Sequence, residues 1–517
     1  MVGVPGRSKG CITCRKRKKG CDKKKPFCGQ CIALNISCGG YEKQPIWLNS
    51  EGSKQTFYSK IQQDANRPET LVVVQHESLT RTARAQKFTG LFWMDYLSGG
   101  NGFSLKASGT TSFQRMRLYE DLSEVEPALQ YVAMALSTAT LGANNNDMQL
   151  TRKSQQAYVL ALQQMAISLE SRHDKDGMLA AIQLMRVYEQ LFGTSSDAQW
   201  TAQGFKKHID GETALILSRG PDDKWSSMGR QLLADGRLAL INAYTSRRRR
   251  SPFSRKQWKE SPLWRSVTDS PLNRLVDILV EVPGLLEDLD VLRQASNPTE
   301  MEKLYNNLTE RCRTCEIALS SWETAVGPIL KTYDYIIIGE TLPTPRNDDD
   351  LAIIYLSCYY WMTWLLVLST KGFTELETSP TLTLMACPSQ ILARSYAYRI
   401  AHAMHLLFQP PAGDYTAVAV FFPLGNAIRY LIMAETFGGE RIMSKERLLL
   451  TKIFARPFLG SFVGRFLKNL QADDGVDYGY SDERLFGMEG VEFRARVWWC
   501  GMRRAGVPDV APEGACP

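Results

Sequence analysis

The spacing of apolar residues along the chain predicts a body built of amphipathic helices. In one stretch the apolar positions recur at intervals of four, three and four residues: Tyr158, Leu162, Met165 and Leu169. In the next stretch the intervals are three, one and three: Leu184, Val187, Tyr188 and Leu191. Such intervals return an apolar side chain to one face of a helix at each turn. Comparable patterns occur around 127–142, 208–218, 229–244, 272–292, 303–325, 390–408 and 445–470. Alternating runs typical of strands are nearly absent, so we expect an all-α body without an internal repeat.

One stretch of this body is apolar all round. The segment from Leu351 to Leu368 contains no charged residue and has the minimum length of a membrane span. A fully buried helix at the centre of a large α-domain shows the same pattern. The stretch stands alone in the chain and contains Ser357, Cys358 and Thr363, which favours a core helix without contact to a membrane.

The segment before the body has a polar pattern. Residues 44–87 contain Pro45 and Pro68, and the only apolar run in them is the short one from Leu71 to Val74. No sustained heptad repeat occurs between Ile46 and Lys87. We therefore expect a linker here, and a homodimer would have to form without an evident coiled coil in this linker.

Positive charge is concentrated at the start of the chain. Eleven of the first 43 residues are Lys or Arg and two are Asp or Glu, so this segment exceeds the net charge of +8 of all 517 residues. The rest of the chain is therefore almost neutral. A concentrated positive field attracts polyanions, nucleic acid first and an anionic membrane surface second.

Half of the twelve cysteines lie within the same segment: Cys11, Cys14, Cys21, Cys28, Cys31 and Cys38. Their spacing repeats C-x2-C-x6-C twice, with an offset of 17 residues. A structural zinc ion takes four ligands, so six thiolates bind two ions if two thiolates are shared, one from each half of the repeat. A six-cysteine disulfide knot is the alternative. We disfavour it because the first residues show no secretory signal and the other cysteines are scattered, which indicates a reducing, intracellular location.

The basic run Arg15–Lys19 lies between the second and third cysteines and is followed by Gly20. We expect one helical turn that ends at this glycine. A helix without an apolar stripe cannot be held by packing, so bound metal must hold it. The equivalent run of the second half, Ile32–Ser37, is neutral and largely apolar. The first half is therefore predicted to face DNA and the second half to support it.

Residues 7–43 resemble the fungal binuclear zinc cluster DNA-binding domain, which occurs in a large family of fungal transcription factors. The resemblance rests on the six cysteines, the basic run after Cys14, Pro26 in the connecting loop and the exit Gly39-Gly40-Tyr41. It implies two zinc ions bridged by Cys11 and Cys28, and double-stranded DNA as the partner.

The resemblance also implies roles for the basic residues. Lys18, with Arg17 beside it, would read base edges of CGG-like half-sites in the major groove, where Lys or Arg commonly bonds guanine O6 and N7. The remaining cations would contact DNA with them, chiefly at phosphates that set the register: Arg15, Lys16, Lys19, Lys23 and Lys25.

The body resembles the fungal-specific transcription factor regulatory domain. The carrying stretches are "VAMALSTATLGA", "HIDGETALILSRGP" and "SRRRRSPF". The resemblance covers roughly residues 88–510 and implies a regulatory role. The two resemblances together imply a nuclear regulator of RNA polymerase II transcription that has the transcription machinery as a partner. Its expected role is to activate a metabolic or secondary-metabolite gene cluster. The alternative is an enzyme tethered by the zinc cluster, but the five histidines lie beside no nucleophile motif.

Several other motifs have an ordinary interpretation. The stretch from Tyr333 to Gly339 begins like a dinucleotide-binding strand, but the glycines of a phosphate loop are missing after it. Cys312 and Cys315 form a lone C-x-x-C, and we expect two helix cysteines. His402 and His405 are one helical turn apart without a third metal ligand nearby, and we expect core or surface histidines.

Two charged segments leave alternatives open. Arg247–Arg250 fits a second nuclear localisation signal or an exposed loop equally well. The segment 473–488 mixes acidic with aromatic residues, as activation segments and ordinary surface loops both do.

Overall fold

The structure is a computed structural model. It describes residues 10–24, 28–34, 36 and 38, single positions and short pieces between 90 and 123, and residues 125–454. Within the last range the segments 172–174, 193–197, 223–224, 267–269, 380–381, 385, 410–412 and 438–443 are not described. The chain divides into two compact units, Met1–Val73 and Val74–Pro517. The linker predicted over 44–87 and the acidic-aromatic segment 473–488 lie outside the described residues.

The described elements are helices, and no strand occurs among the described residues. The first unit contains α1 (Ile12–Lys16) and α2 (Gly29–Ala33). The second unit contains, in chain order, α3 (Pro127–Asn145), α4 (Met148–Ser171), α5 (Lys175–Leu191), α6 (Ala198–Arg219), α7 (Ser227–Arg247), α8 (Lys256–Lys259), α9 (Pro271–Leu279), α10 (Val282–Gln294), α11 (Pro298–Val326), α12 (Tyr335–Ile338), α13 (Asp348–Thr378), α14 (Pro388–Met404), α15 (Gly413–Phe437) and α16 (Lys445–Phe454). The predicted mostly-α fold is confirmed for the described part of the chain.

Residues at the helix starts supply the first hydrogen-bond acceptors. Ser226 precedes α7 and accepts from Gly229 N, and Asn347 precedes α13 and accepts from Asp350 N at 2.9 Å. Three aspartates follow Asn347 in the first turn of α13, where their negative charges interact favourably with the positive end of the helix dipole. Pro298 at the first turn of α11 already has the required φ and lacks the N–H that would have no partner there.

Helix α13 forms the centre of the second unit. It packs against α10, α11, α14 and α15, and 89% of its most apolar 18-residue window is buried inside the body. Its length and composition alone would allow it to cross a membrane. The predicted core helix is confirmed, because neighbouring helices bury most of it.

The predicted helix over 158–169 is confirmed, but its predicted buried face is partly wrong. Tyr158 and Met165 are buried, whereas Leu162 and Leu169 are 41% and 54% exposed. Small residues on the other side of the same helix take their place in the core, among them Ala161. Helix α4 can therefore lie close to α3, and its larger aliphatic side chains point away from the body.

The local structure of the body shows where three motifs of the sequence lie: the run from Tyr333 to Gly339, the histidine pair and the C-x-x-C pair. The run around Tyr335, which begins like a dinucleotide-binding strand, forms the one-turn helix α12, and Asp334 caps this helix by accepting from Ile336 N at 3.0 Å. His402 is buried, stacks on Tyr335 and lies 3.2 Å from Glu446 Oε1, while His405 is exposed. Cys312 and Cys315 are buried on α11, as expected of helix cysteines.

Arg249 and Arg250 of the basic turn Arg247–Arg250 lie exposed after the end of α7, as the exposed-loop alternative predicted, and the arginines of the turn are ion-paired. Arg248 ends α7 in the left-handed conformation (φ 51°) and forms two hydrogen bonds to Asp290, at 2.8 and 2.7 Å. Arg250 lies 2.6 Å from Asp288. Arg249 is the most exposed of the four. Acidic residues of α10 therefore pair with Arg248, Arg249 and Arg250 and offset most of the positive charge of the turn.

Candidate metal centre and nucleic-acid interface

The six cysteines of the first unit come together in one cluster. Their Sγ atoms form two sets of four, and within each set all atoms lie within 4.8 Å of one another. The first set is Cys11, Cys14, Cys21 and Cys28, and the second is Cys11, Cys28, Cys31 and Cys38. Two thiols, those of Cys11 and Cys28, are common to both sets.

The 17-residue repeat of the sequence is also a repeat of hydrogen bonds. Cys14 N donates to Cys11 Sγ at 3.3 Å, and Cys31 N donates to Cys28 Sγ at the same distance. Cys11 N donates to Cys21 Sγ at 3.3 Å, and Cys28 N donates to Cys38 Sγ at 3.5 Å. The two halves therefore have equivalent local structures, and each short helix starts at a cysteine whose sulfur serves as its cap.

The innermost thiols are shielded from water. Cys11, Cys14, Cys28 and Cys31 are completely buried, while Cys21 and Cys38 are partly exposed. Burial, together with the contacts with Cys11 and Cys28, raises the pKa of the Cys14 thiol to about 12. Buried thiolates at this density require cations among them, and the soft sulfur donors suit zinc.

The amides of the cluster stabilise its sulfurs in addition to any metal. Four backbone N–H groups, two in each half, donate to cysteine sulfurs across 3.3–3.5 Å. Amide donors partly offset the negative charge of thiolates and fix their orientation, as outer-shell partners do in metal sites. The residues present therefore fit a pair of tetrahedral zinc ions.

A side chain closes the loop between the two halves. Both carboxylate oxygens of Asp22 accept from Gly29 N, each at 3.0 Å. A Cβ at position 29 would lie 2.5 Å from Asp22 Oδ2, so a larger residue there would displace this carboxylate from its hydrogen bonds. Asp22 is one of only two acidic residues in the basic segment, and it serves as a structural acceptor at the start of α2.

The basic run is helical over a different range than expected. Helix α1 begins at Ile12, ahead of the run, and ends at Lys16. Lys19 N donates to Cys14 O at 3.1 Å, and Lys18 takes the left-handed conformation (φ 52°). This is a Schellman-type ending, in which Lys18, two residues after the last helical residue Lys16, takes the left-handed position expected of Gly20. The predicted end at Gly20 is therefore wrong, because the cysteine pair sets the start of the helix and the five-residue turn follows from it.

The cations that the sequence assigned to DNA lie on the surface. Lys16, Arg17, Lys18, Lys19 and Lys23 are exposed, and Lys23 is also left-handed (φ 59°). Arg15 lies within α1, where its side chain is outside the description, and Lys25 lies outside the described residues. A left-handed lysine costs about 1 kcal/mol relative to glycine, and such local strain clusters at functional sites.

The second half exposes apolar side chains instead of charges. Ile32 and Leu34 are 65% and 52% exposed, and Ile36 is also exposed. Ile36 N donates to Cys31 O at 3.1 Å, which is the counterpart of the bond between Lys19 and Cys14. The two halves thus share a backbone and differ in the chemistry of the surface that each presents. Among the described residues of the second half, the cysteine Cys31 is buried whereas the apolar side chains of Ile32 and Leu34 are exposed.

The helical body contains one further feature suited to binding, a cavity of about 160 Å³. Its walls include aromatic side chains from separate parts of the body: Trp93, Tyr96, Tyr119, Tyr355 and Phe422. Arg186, which also lines the cavity, is ion-paired with Glu212. Sequence periodicity could not locate this cavity, because its lining residues come from helices distant in the chain.

Two family profiles match the chain. The fungal Zn(2)-Cys(6) binuclear cluster domain matches residues 9–47, and the fungal specific transcription factor domain matches residues 104–336. The first of these is a domain that binds two zinc ions, in agreement with the two overlapping sets of four thiols. No solved structure matches the chain significantly.

Three curated proteins show local similarity. Pestheic acid cluster transcriptional regulator 3 of Pestalotiopsis fici is 53% identical over 58 residues, which cover 11% of this chain and 10% of that protein. Transcription factor dibT of Pestalotiopsis microspora is 45% identical over 58 residues, 11% of this chain and 9% of that protein. Transcriptional regulatory protein moc3 of Schizosaccharomyces pombe is 43% identical over 44 residues, 8% of this chain and 9% of that protein.

These alignments span about a tenth of the length of each relative. The two profiles extend the similarity into the helical body, where the matched segment includes α3 to α11 and the start of α12. The chain thus combines a segment that matches the fungal Zn(2)-Cys(6) binuclear cluster domain with a later segment that matches the fungal specific transcription factor domain.

Proposed function

We propose that the chain is a zinc-dependent transcription factor that recognises specific DNA sequences. The observation that carries the proposal is that one short domain contains both two overlapping four-thiol sets and an exposed basic segment. Metal sites that fold a small domain supply most of its stability, and a basic surface supplies affinity for phosphates. The printed names of the three relatives, all regulators of transcription, support the same function.

The metal ligands in this proposal are the six cysteines of the cluster. Cys14 and Cys21 would complete the ligand set of one zinc ion, Cys31 and Cys38 would complete that of the other, and Cys11 and Cys28 would serve both ions. The shared membership of Cys11 and Cys28 in the two sets supports the bridging role. Six thiolates and two Zn²⁺ ions carry a net charge of about −2, which the surrounding lysines and arginines offset.

Lys18 is the residue that we assign to base recognition, with Arg17 beside it. It lies two residues after the end of α1 in the left-handed conformation and is exposed, so its side chain extends into solvent just beyond the short helix. An ammonium group there donates to guanine O6 and N7 in the major groove, which suits CGG-like half-sites. The other cations contact phosphates and set the register: Arg15, Lys16, Lys19, Lys23 and Lys25.

The helical body has a regulatory role in this proposal, and the domains extend over 7–43, 44–87 and 88–510. It contacts the transcription machinery in the nucleus and activates a metabolic or secondary-metabolite gene cluster. One relative is named for such a cluster, the pestheic acid cluster, which supports this class of target.

The proposal does not include catalysis. Burial raises the pKa of Cys315 to about 11 and raises the pKa of Cys358 and Cys387, so these thiols are held in the neutral form and not as thiolate nucleophiles. The family itself is one of transcription factors, which argues against the zinc-tethered enzyme.

The decisive test is DNA binding by the full chain before and after zinc removal. We expect tight binding to a duplex with CGG half-sites, weaker binding to the same duplex with those triplets scrambled, and loss of binding after chelation. Restored zinc should restore binding. The helical circular dichroism signal should change little on chelation, because the metal holds only the first unit. Undiminished binding in the absence of zinc would overturn the proposal.

A further inference from the structure

Helix α4 carries a regular stripe of exposed residues on the side that faces away from the body. The stripe members alternate at intervals of four and three residues along the whole helix: Met148, Arg152, Gln155, Val159, Leu162, Ala166 and Leu169. This alternation is the a/d spacing of a coiled-coil seam, and five of the seven members are apolar. The linker between the two units lacks such a repeat in its sequence.

The stripe is distinct from the face that α4 buries. Tyr158, Ala161 and Met165 are at most 7% exposed and form part of the body's core, in which α4 packs against α3 and α5. The large members of the stripe are uncovered by comparison. Met148 is 68% exposed, and Val159 is 50% exposed. The helix therefore has two apolar faces, and the described part of the body covers only one of them.

The charges on the stripe oppose the dipole of their own helix. Arg152 lies near the N-terminal end of α4, and Glu170 lies next to the stripe in the last turn. Negative charge is favoured at a helix N-terminus and positive charge at a C-terminus, so both residues are at the less favourable end. Neither residue forms an ion pair within the described part of the chain. Such a conflict disappears if an antiparallel helix lies alongside.

We propose that this stripe, the α4 seam, is the dimer interface of the protein and that its occupant is the α4 seam of a second copy, in antiparallel orientation. A two-fold axis near the middle of the helix places Val159 of one copy against Leu162 of the other, twice. Ala166 then faces Gln155, and Leu169 faces Arg152. Each Arg152 lies beside Glu170 of the other copy, and both charges lie near the favourable end of the neighbouring helix dipole.

Charge selects this orientation over the parallel one. A parallel pair would place Arg152 against Arg152 and Glu170 against Glu170, which is repulsive. The antiparallel pair is isologous, because the same surface serves in both copies and closes the assembly at two chains. Two DNA-reading domains would then belong to one assembly, a consequence that rests on the proposed function, whereas the interface itself does not.

The test is the association state of the full, zinc-loaded chain without DNA, measured by sedimentation velocity over a wide range of protein concentration. We expect a monomer–dimer equilibrium for the wild type. Leu162→Glu should weaken dimerisation by about a hundredfold or more, because two carboxylates would be buried in the central layers. Ile167→Glu is the matched control: Ile167 lies on the same helix and is 52% exposed, but it lies outside the seam. Its dimerisation should match that of the wild type.

Charge reversal tests the orientation. Arg152→Glu should weaken the dimer, and the double variant Arg152→Glu with Glu170→Arg should restore it in the antiparallel arrangement. A wild-type chain that stays monomeric would overturn the proposal. So would equal loss of the dimer in Leu162→Glu and Ile167→Glu. A large fall in the thermal midpoint of monomeric Leu162→Glu relative to Ile167→Glu would show that another segment of the same chain covers the seam, and would also overturn the proposal. DNA binding is measured separately, so its failure would leave this result unaffected.

Discussion

The Sγ atoms of Cys11 and Cys28 lie 3.6 Å apart at the centre of the metal cluster, although the residues are 17 positions apart in the chain. Each of them is the first cysteine of its half, and each accepts a hydrogen bond from the amide three residues later. These two thiols are also the members common to both four-thiol sets. A domain of this size has little apolar core, so the ions at this point replace the core.

Cys11→Ala should therefore disturb both zinc ions, whereas Cys38→Ala should disturb one. Removal of a shared thiol leaves three ligands in each set, but removal of Cys38 leaves the set of Cys11, Cys14, Cys21 and Cys28 intact. Native mass spectrometry in the presence of a competing chelator measures the number of ions retained. We expect two for the wild type, one for Cys38→Ala and none for Cys11→Ala. Equal behaviour of the two variants would contradict the shared role of Cys11.

Lys18→Gly should remove sequence discrimination without unfolding the zinc domain. Lys18 has φ 52°, a conformation that glycine adopts without strain, so the substitution should not reduce the stability of the domain. Binding to a CGG site should weaken by ~1–3 kcal/mol per half-site, while binding to unrelated DNA should change little. Fluorescence anisotropy with matched and scrambled duplexes measures the difference.

Lys23→Gly is the comparison for that experiment, because Lys23 is also exposed and left-handed (φ 59°). As a phosphate contact, it should lower affinity for all sequences alike and reduce the salt slope by about one unit. If Lys18→Gly instead weakened every duplex equally, Lys18 would be a phosphate contact and base recognition would have to be assigned to another residue.

Arg248→Ala should destabilise the helical body by about 1–3 kcal/mol. The substitution removes two hydrogen bonds to Asp290 and leaves that carboxylate with only the longer ion pair to Arg293, at 4.0 Å, while the position keeps its left-handed conformation. Arg249→Ala is the matched control, because the Arg249 side chain is 72% exposed and its surface ion pair is worth little. Thermal unfolding followed by circular dichroism separates the two variants. Similar midpoints for both variants would show that the hydrogen bonds between Arg248 and Asp290 do not stabilise the body.

His208 should make the body less stable in mild acid. Burial, together with the positive charge of Arg186, lowers its pKa to about 4. The ordinary value is 6.5, so between these two pH values the unfolded chain binds a proton that the folded chain does not. Stability is therefore lost as the pH falls from about 6.5 towards 4, and it is unaffected by this group above 6.5.

The measurement is the thermal midpoint as a function of pH for the wild type and for His208→Gln. In the structure His208 Nε2 lies 2.6 Å from the hydroxyl of Tyr158, which in turn donates to Glu189. Glutamine can keep a hydrogen bond to that hydroxyl and cannot titrate. The variant should lose less stability than the wild type over this range, and identical pH profiles would contradict the assignment.

The sequence by itself determined the chemistry of the first unit, because its signals are local. Four thiols per zinc ion, a 17-residue repeat and a run of adjacent cations follow from spacing and residue type alone, and the overlapping thiol sets agree with them. The helical body and its central helix were equally readable, since periodicity and a long apolar run do not depend on which partner covers them. The end of α1 could not be predicted from the sequence, because it depends on the hydrogen bond from Lys19 N to Cys14 O and on the positions of Cys11 and Cys14 in the cluster.

Only the tertiary structure decided which surfaces are occupied. The arginines of the turn after α7 look like a free basic signal until the acids of α10, about 40 residues further along the chain, are brought beside them. Leu162 looks like a core residue by period, yet α4 packs against α3 with Ala161 buried and Leu162 exposed. Helical periodicity states which residues share a face, but the packing of distant helices determines whether that face is covered.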